Sequence, residues 1–156
     1  MSGRVEALWI KRALRGVMDP VDEITLVENG GIENDANLGR SKRQVTVIEK
    51  EIFDAIAKDL PEVTPSMRRA NVMVSGVELN ETRDQILTLG DVRILIHGRT
   101  RPCERMDAQL PGLTAALDPE WYGGAYGVVL NDGTIRLGDH ASIGAPVAEA
   151  AQGSGD

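Results

Sequence analysis

Residues 89–117 read LGDVRILIHGRTRPCERMDAQLPGLTAAL, and the order of elements in this stretch decides how the chain folds. Two apolar runs, Ile86 to Leu89 and Val92 to Ile96, are separated by Gly90-Asp91, the pattern of a strand turning a corner. Beyond them Pro102 lacks a backbone donor and fixes its own φ, so Cys103 is expected on a turn rather than inside a helix. The spacing of Leu110, Leu113, Ala116 and Leu117 then predicts a short helix. Strand, corner, strand, turn and a brief helix describe a β-rich chain.

The same grammar extends outward. Val5, Ala7 and Trp9 alternate with charged or long side chains and predict a first strand. Pro20 between Asp19 and Asp22 reads as a turn, with a short strand over Ile24 to Val27. Residues 29–44, NGGIENDANLGRSKRQ, are rich in Gly, Asn and Asp and long for a simple connection, which makes them either a functional loop or an ordinary surface loop. Gln44 to Ile48 is a β-branched strand, followed over residues 49–60 by the one clear amphipathic helix, with Ile52, Phe53, Ile56, Ala57 and Leu60 on one face and Pro61 at its end. Asn71 to Gly76 predicts another strand, and Ala125 to Leu130 with Thr134 to Leu137 flank Asn131-Asp132-Gly133 as a hairpin. Leu-Gly-Asp recurs before a strand at positions 89–91 and 137–139, an echo too short to define a repeat architecture. Many short strands with one real helix do not fit alternating βαβ units and point to a mainly β barrel with one or two packed α-helices. Residues 1–145 are expected to form a single domain, and residues 146–156, small and acidic, a disordered tail.

Composition bounds the function. The net charge of −7 argues against non-specific binding of nucleic acid or an anionic membrane, although a local basic patch is compatible with it. One cysteine excludes an intramolecular disulfide framework and suits a reducing compartment. The N-terminus lacks the apolar core of a signal peptide, and no apolar run reaches the ~20 residues of a membrane span, so a cytoplasmic location with no membrane partner is expected. There is no CxxC, HExxH or G-x-S-x-G, and His97 and His140 lie far apart in sequence. Gly123-Gly124-Ala125-Tyr126-Gly127 lacks a Walker lysine and precedes a strand, so it reads as a place of close backbone approach rather than a nucleotide loop.

What remains is a thiol among arginines. Arg99, Arg101 and Arg105 lie within four positions of Cys103, and guanidinium groups near a thiol favour its thiolate, the form that attacks electrophiles and ligates metals. Arg68 and Arg69 add two more charged forks suited to an anionic group such as a phosphate. If the two clusters converge, they make an anion pocket beside a thiolate. Such a pocket suits sulfur transfer, or a soft metal held by sulfur while its organic carrier is held by arginine. Against this stand two plain alternatives: a lone cysteine packs well as a small buried hydrophobe, and an arginine serves as readily on a solvated face.

In order along the chain, Arg68-Arg69-Ala70-Asn71-Val72-Met73-Val74-Ser75-Gly76, Leu89-Gly90-Asp91, Gly98-Arg99-Thr100-Arg101-Pro102-Cys103, Pro111-Gly112-Leu113 and Asn131 to Asp139 resemble the MOSC domain, the molybdenum-cofactor sulfurase C-terminal domain family, as a small stand-alone member. Gly30 to Asp35 and Arg43-Gln44-Val45 resemble its more variable first half, with Ala36-Asn37 where many relatives carry a basic or histidine residue. The resemblance implies a β-barrel like that of the pyruvate kinase barrel domain. It implies that Cys103 ligates molybdenum or carries a persulfide sulfur, with molybdenum cofactor (molybdopterin) as the bound group. It further implies that Arg68, Arg69 and Asn71 lie near the pterin phosphate or the cysteine loop and that Thr100 and Pro102 shape that loop, with Ser75, Arg99, Arg101 and Arg105 counted among the cofactor-binding candidates. Larger relatives join the domain to a pyridoxal-phosphate cysteine desulfurase domain, and others reduce N-hydroxylated small-molecule substrates. A cysteine desulfurase or an electron-transfer protein is therefore the implied partner. The rival expectations are a metal-free persulfide sulfur carrier and a non-catalytic interaction barrel with an inert, buried cysteine.

Overall fold

The computed structural model describes residues 3–103 and 105–145; the expected tail, residues 146–156, lies outside them. In chain order the elements are β1 (Gly3–Lys11), β2 (Met18–Val21), β3 (Glu23–Val27), β4 (Gly31–Ile32), β5 (Val45–Glu49), α1 (Lys50–Ile56), a 3₁₀ turn (Pro65–Arg68), β6 (Val72–Ser75), β7 (Ile86–Leu89), β8 (Val92–Arg99), α2 (Arg105–Gln109), α3 (Leu113–Leu117), β9 (Ala125–Val129), β10 (Gly133–Arg136) and β11 (His140–Gly144). Seven strands close on themselves in the order β11-β7-β8-β9-β5-β6-β1, because β1 also pairs with β11. Closure leaves the ring without an open edge, and the inward side chains fill it. The expected barrel is therefore what forms.

Two apolar clusters follow from strand alternation. Val5, Leu8, Val47, Val72, Leu87, Ile94 and Ile96 fill the interior, where Ile24, Leu26, Ile32 and Ile135 from the small sheet β10-β3-β4 join them. Outside the barrel wall, Trp9, Ile48 and Met73 pack against Phe53 and Ile56 of α1 and against Met106, Leu110, Leu113 and Leu117. Along β1 the pairing with β6 slips between Val5 and Ala7, so Val5, Leu8 and Ile10 all face the interior while Trp9 faces the helices. The β-bulge reconciles that pattern with strict period-2 alternation.

Several local expectations are corrected. Pro20 is not in a turn: it pairs with Trp9 within β2, which lies outside the ring and pairs only with β1. An edge position is where a strand tolerates a residue with no N–H. The Asn131-Asp132-Gly133 segment does not close a hairpin, because β9 pairs with β8 and β5 whereas β10 pairs with β3. The Asn131 side chain instead accepts from Arg93 N–H (2.8 Å) and donates to the Asp91 carbonyl (2.9 Å), and the Asp132 carboxylate accepts from Glu28 N–H (2.7 Å). Asx side chains tie this crossing to neighbouring loops. One βαβ unit does exist, β5-α1-β6, with its two strands parallel. The amphipathic helix is shorter than its apolar stripe, ending at Ile56 before turns that reach Leu60, and α2 is an additional helix beside the expected one.

Candidate functional site

β8 leaves the barrel at Arg99 and runs into the loop that carries Cys103. The loop is pinned at both ends. Thr100, 2% exposed, donates its N–H to the Gly124 carbonyl (2.9 Å) and its hydroxyl to the Gly123 carbonyl. Arg68 donates from Nε to the same Gly123 carbonyl (2.9 Å) and from Nη2 to the carbonyls of Thr100 (3.1 Å) and Arg101 (3.4 Å). The Cys103 carbonyl accepts from Met106 N–H (2.9 Å) and Thr114 Oγ1 (2.8 Å), which docks the loop on α2 and α3. Gly124 adopts φ +101°, and a Cβ there would collide with the Val47 carbonyl oxygen; at Gly123 a Cβ would come within 2.5 Å of the Thr100 carbonyl oxygen. The glycine pair thus permits close approach of backbone to the cysteine loop, not of a nucleotide.

Cys103 itself is exposed, which excludes the buried inert thiol. It opens onto a cleft of about 420 Å³. Arg68, Arg69, Asn71, Thr100, Cys103 and Arg105 line this cleft together, so the two sequence clusters do converge. Arg68 lies against the loop, and burial pushes its guanidinium down to about 10, with Arg43 adding to the fall and Cys103 opposing it. Arg69 sits in the left-handed region (φ 63°), and its guanidinium donates to the carbonyls of Gly16 and Leu14 (3.5 Å), tethering the β1–β2 loop over the cleft. Ser75 does not line the cleft; at the far end of β6 its hydroxyl donates to Glu6 Oε2 (2.6 Å). Arg99 and Arg101 also point elsewhere, into a neighbouring cleft, and Pro102 is half-buried and lines neither cleft.

Beneath the cleft lies a buried polar network absent from the sequence reading. Asp35, 6% exposed, accepts through Oδ1 from Lys11 N–H (2.8 Å) and Asn71 Nδ2 (3.1 Å), and through Oδ2 from Asn37 N–H (3.0 Å). Asn71 Oδ1 in turn accepts from Thr46 N–H (3.1 Å) and Oγ1 (3.2 Å). Each buried polar atom is thereby matched, and the loop of residues 33–37 is fastened to β1, β5 and β6. Residues 29–44 are consequently structural as well as site-forming. They also contribute Asn37 and Arg43 to the cleft wall, while β1 contributes Lys11, whose ammonium pKa burial lowers and Asp35 partly restores. Arg15 adds a further cation. The signal for these groups was the basic run Arg40, Lys42, Arg43 and the paired Lys11-Arg12, which alone do not reveal which way they face. No His/Cys/Asp/Glu cluster able to hold a metal ion by itself occurs among the described residues, and no helix of theirs is long and apolar enough to cross a membrane.

Comparison with known proteins agrees with the fold. The model of the MOSC domain matches residues 34–142, which include the cysteine loop and most of the barrel. Among solved structures, YuaD of Bacillus subtilis superposes with a TM-score of 0.73 at 22% identity, covering 90% of this chain and 94% of that one. YiiM of Geobacillus stearothermophilus gives 0.70 at 19% identity over 95% of this chain and 78% of its own. YiiM of Escherichia coli gives 0.67 at 19% identity, with 94% and 71% covered. At such identities the likeness is one of fold. No curated protein matches the chain.

Proposed function

The chain belongs to the MOSC domain family, and from that premise we propose that its cleft binds molybdenum cofactor, with Cys103 as the sulfur ligand of the metal. The observation that carries the reading is the combination in one cleft of an exposed thiol with Lys11, Arg15, Arg43, Arg69 and Arg105. Sulfur suits a soft metal, whereas guanidinium and ammonium groups suit the phosphate of its organic carrier. The cleft's roughly 420 Å³ falls in the ~300–1,000 Å³ range of small-molecule sites. The residues present therefore fit the group. When bound, it supplies a metal centre for reduction of N-hydroxylated compounds, or a cofactor to be sulfurated.

The chain's own residues have definable parts in this. Arg68, by holding the carbonyls of Thr100 and Arg101, fixes the direction in which Cys103 presents Sγ. Arg69 and Arg105 offer charge-assisted donors to a phosphate, and Lys11, Arg15 and Arg43 extend the positive field that draws it in. Asn71, occupied by Asp35 and Thr46, positions the wall rather than the ligand. A separate protein would donate electrons or sulfur.

Changing Arg69 and Arg105 together to Ala is expected to lower the pterin retained by the purified protein by about tenfold, the loss of one or two charge-assisted contacts. Undiminished pterin in that variant would remove the phosphate assignment.

A second reading rests on the exposed thiol and the lack of any other cysteine to close a disulfide on it. As a persulfide carrier, Cys103 thiolate would attack the outer sulfur of a desulfurase-bound persulfide. A new S–S bond forms, the donor's S–S bond breaks and the donor cysteine leaves as thiolate, with no net redox change. A gain of one sulfur on Cys103 in metal-free protein, after incubation with a desulfurase and cysteine, would favour the carrier over the cofactor reading.

A further inference from the structure

Beside the cysteine cleft lies another of about 360 Å³, lined by Arg43, Arg83, Gly98, Arg99, Arg101 and Tyr126. The wall residues of the connecting strand alternate: Arg99 and Arg101 face this second cleft, Thr100 faces the first. Alternation is what an extended backbone imposes. The β8–β9 register slips between Ile96 and Gly98, and bulges of this kind re-aim the side chains that follow. A Cβ at position 98 would come within 3.0 Å of Arg83 Nη1 and 3.4 Å of the Tyr126 ring, so glycine there makes room for the guanidinium, which donates to the His97 carbonyl.

Four guanidinium groups thus converge in a protein of net charge −7. None takes part in the ion pairs found among the described residues, which join Arg4 to Glu6, Arg12 to Asp19, Lys50 to Asp54 and Arg136 to Glu23. Glu81 and Glu120 line the groove beyond Arg83 and Arg99 without approaching them within ion-pair distance. Arg43 stacks 4.9 Å from the Tyr126 ring centre and Arg83 lies 6.0 Å from that of Trp121, contacts that orient a guanidinium and leave its N–H edge free to donate. Arg99 donates through Nη2 to the Asp118 carbonyl (2.6 Å), while its buried Nε has no hydrogen-bond partner.

We propose that this cleft is a second anion-binding site, which takes a phosphate-type oxyanion group through Arg83, Arg99 and Arg101, with Arg43 shared between the two clefts. The assignment stands on these residues alone and does not depend on molybdenum cofactor binding. The group is either a free phosphate or diphosphate or the phosphate end of an organic ester.

The test is calorimetric titration of the full chain, treated to remove any bound pterin, with inorganic diphosphate and, in parallel, with adenosine 5′-diphosphate. Arg101 is exposed and its side chain makes no hydrogen bond among the described residues, so Arg101→Gln is expected to unfold at the wild-type temperature. The site predicts a diphosphate-binding event that is weakened about tenfold or more in Arg101→Gln, partly restored in Arg101→Lys, and retained at its wild-type affinity in Arg69→Ala, which removes only binding at the first cleft. Equal affinity for the two probes identifies the free anion as sufficient; tighter binding of the nucleotide identifies an ester. Diphosphate binding abolished by Arg69→Ala but untouched by Arg101→Gln, or no binding of either probe at millimolar concentration, would overturn the proposal.

Discussion

Charge at single residues is governed here by burial, and Glu49 is the clearest case. Its carboxyl is buried where β5 meets α1, accepts only the Leu79 N–H (3.3 Å), and is pushed up to about 7 by desolvation, against that hydrogen bond, with Glu51 and Glu78 adding repulsion. A carboxyl raised from 4.5 to about 7 keeps its proton in the native state over a range where the unfolded chain has lost it. Its stabilising contribution is therefore complete below pH 4.5 and fades as pH rises through about 7. Glu49→Gln keeps the acceptor for Leu79 and removes the ionisation. Denaturant unfolding should show it more stable than wild type by about 1–3 kcal/mol at pH 8 and nearly equal at pH 4.5. A difference of the same size at both pH values would contradict this account. Arg68 follows the same logic from the other side. Its residue type suited an anion and the family resemblance implied a place near the pterin phosphate or the cysteine loop; in the fold its donors go to backbone carbonyls of that loop and of Gly123. Which carbonyls each of the two adjacent arginines reaches, the cysteine loop for Arg68 and the β1–β2 loop for Arg69, depends on the left-handed backbone at Arg69, a feature no side-chain pattern announces.

At the scale of elements, strands were legible from period-2 alternation where burial is on a single side, as in β7 and β8, and from β-branched runs where both faces are covered, as in β5 and β6. What the pattern could not convey is partnership. Asn131-Asp132-Gly133 carries every local mark of a hairpin, yet its flanking strands belong to different sheets, since interior packing of Ile135 with Ile24 and Leu26 decides where β10 pairs. The loop of residues 33–37 was equally opaque: Asp35 is polar in sequence and buried in the fold, and only its three N–H donors explain why. Asp35→Ala should strand those donors, lower stability by about 2–4 kcal/mol and accelerate amide exchange at Lys11 and Asn37. Wild-type stability with unchanged exchange would mean that water replaces the carboxylate at no cost.

Across the whole molecule, the closed barrel supplies a rigid wall and the function is written on one rim of it. β1 and β5, the loop of residues 33–44, the 3₁₀ turn with the segment leading into β6, the loop after β8 and α2 each deliver part of the cysteine cleft, so convergence is a property of topology rather than of any motif. The cysteine and its nearest arginines could be singled out from sequence because they are contiguous, whereas Lys11, Arg15 and Arg43 could not, because contacts between elements bring them in. A fold that gathers cations around one exposed thiol accounts for a cofactor held at two points, metal by sulfur and phosphate by guanidinium. The measurement that bears on this most directly is the molybdenum and pterin content of the protein purified from a cofactor-producing host, wild type beside Cys103→Ala. The account predicts near-stoichiometric molybdenum in the wild type and its loss in Cys103→Ala. Molybdenum undiminished in the variant, or neither molybdenum nor pterin in either protein, would contradict it.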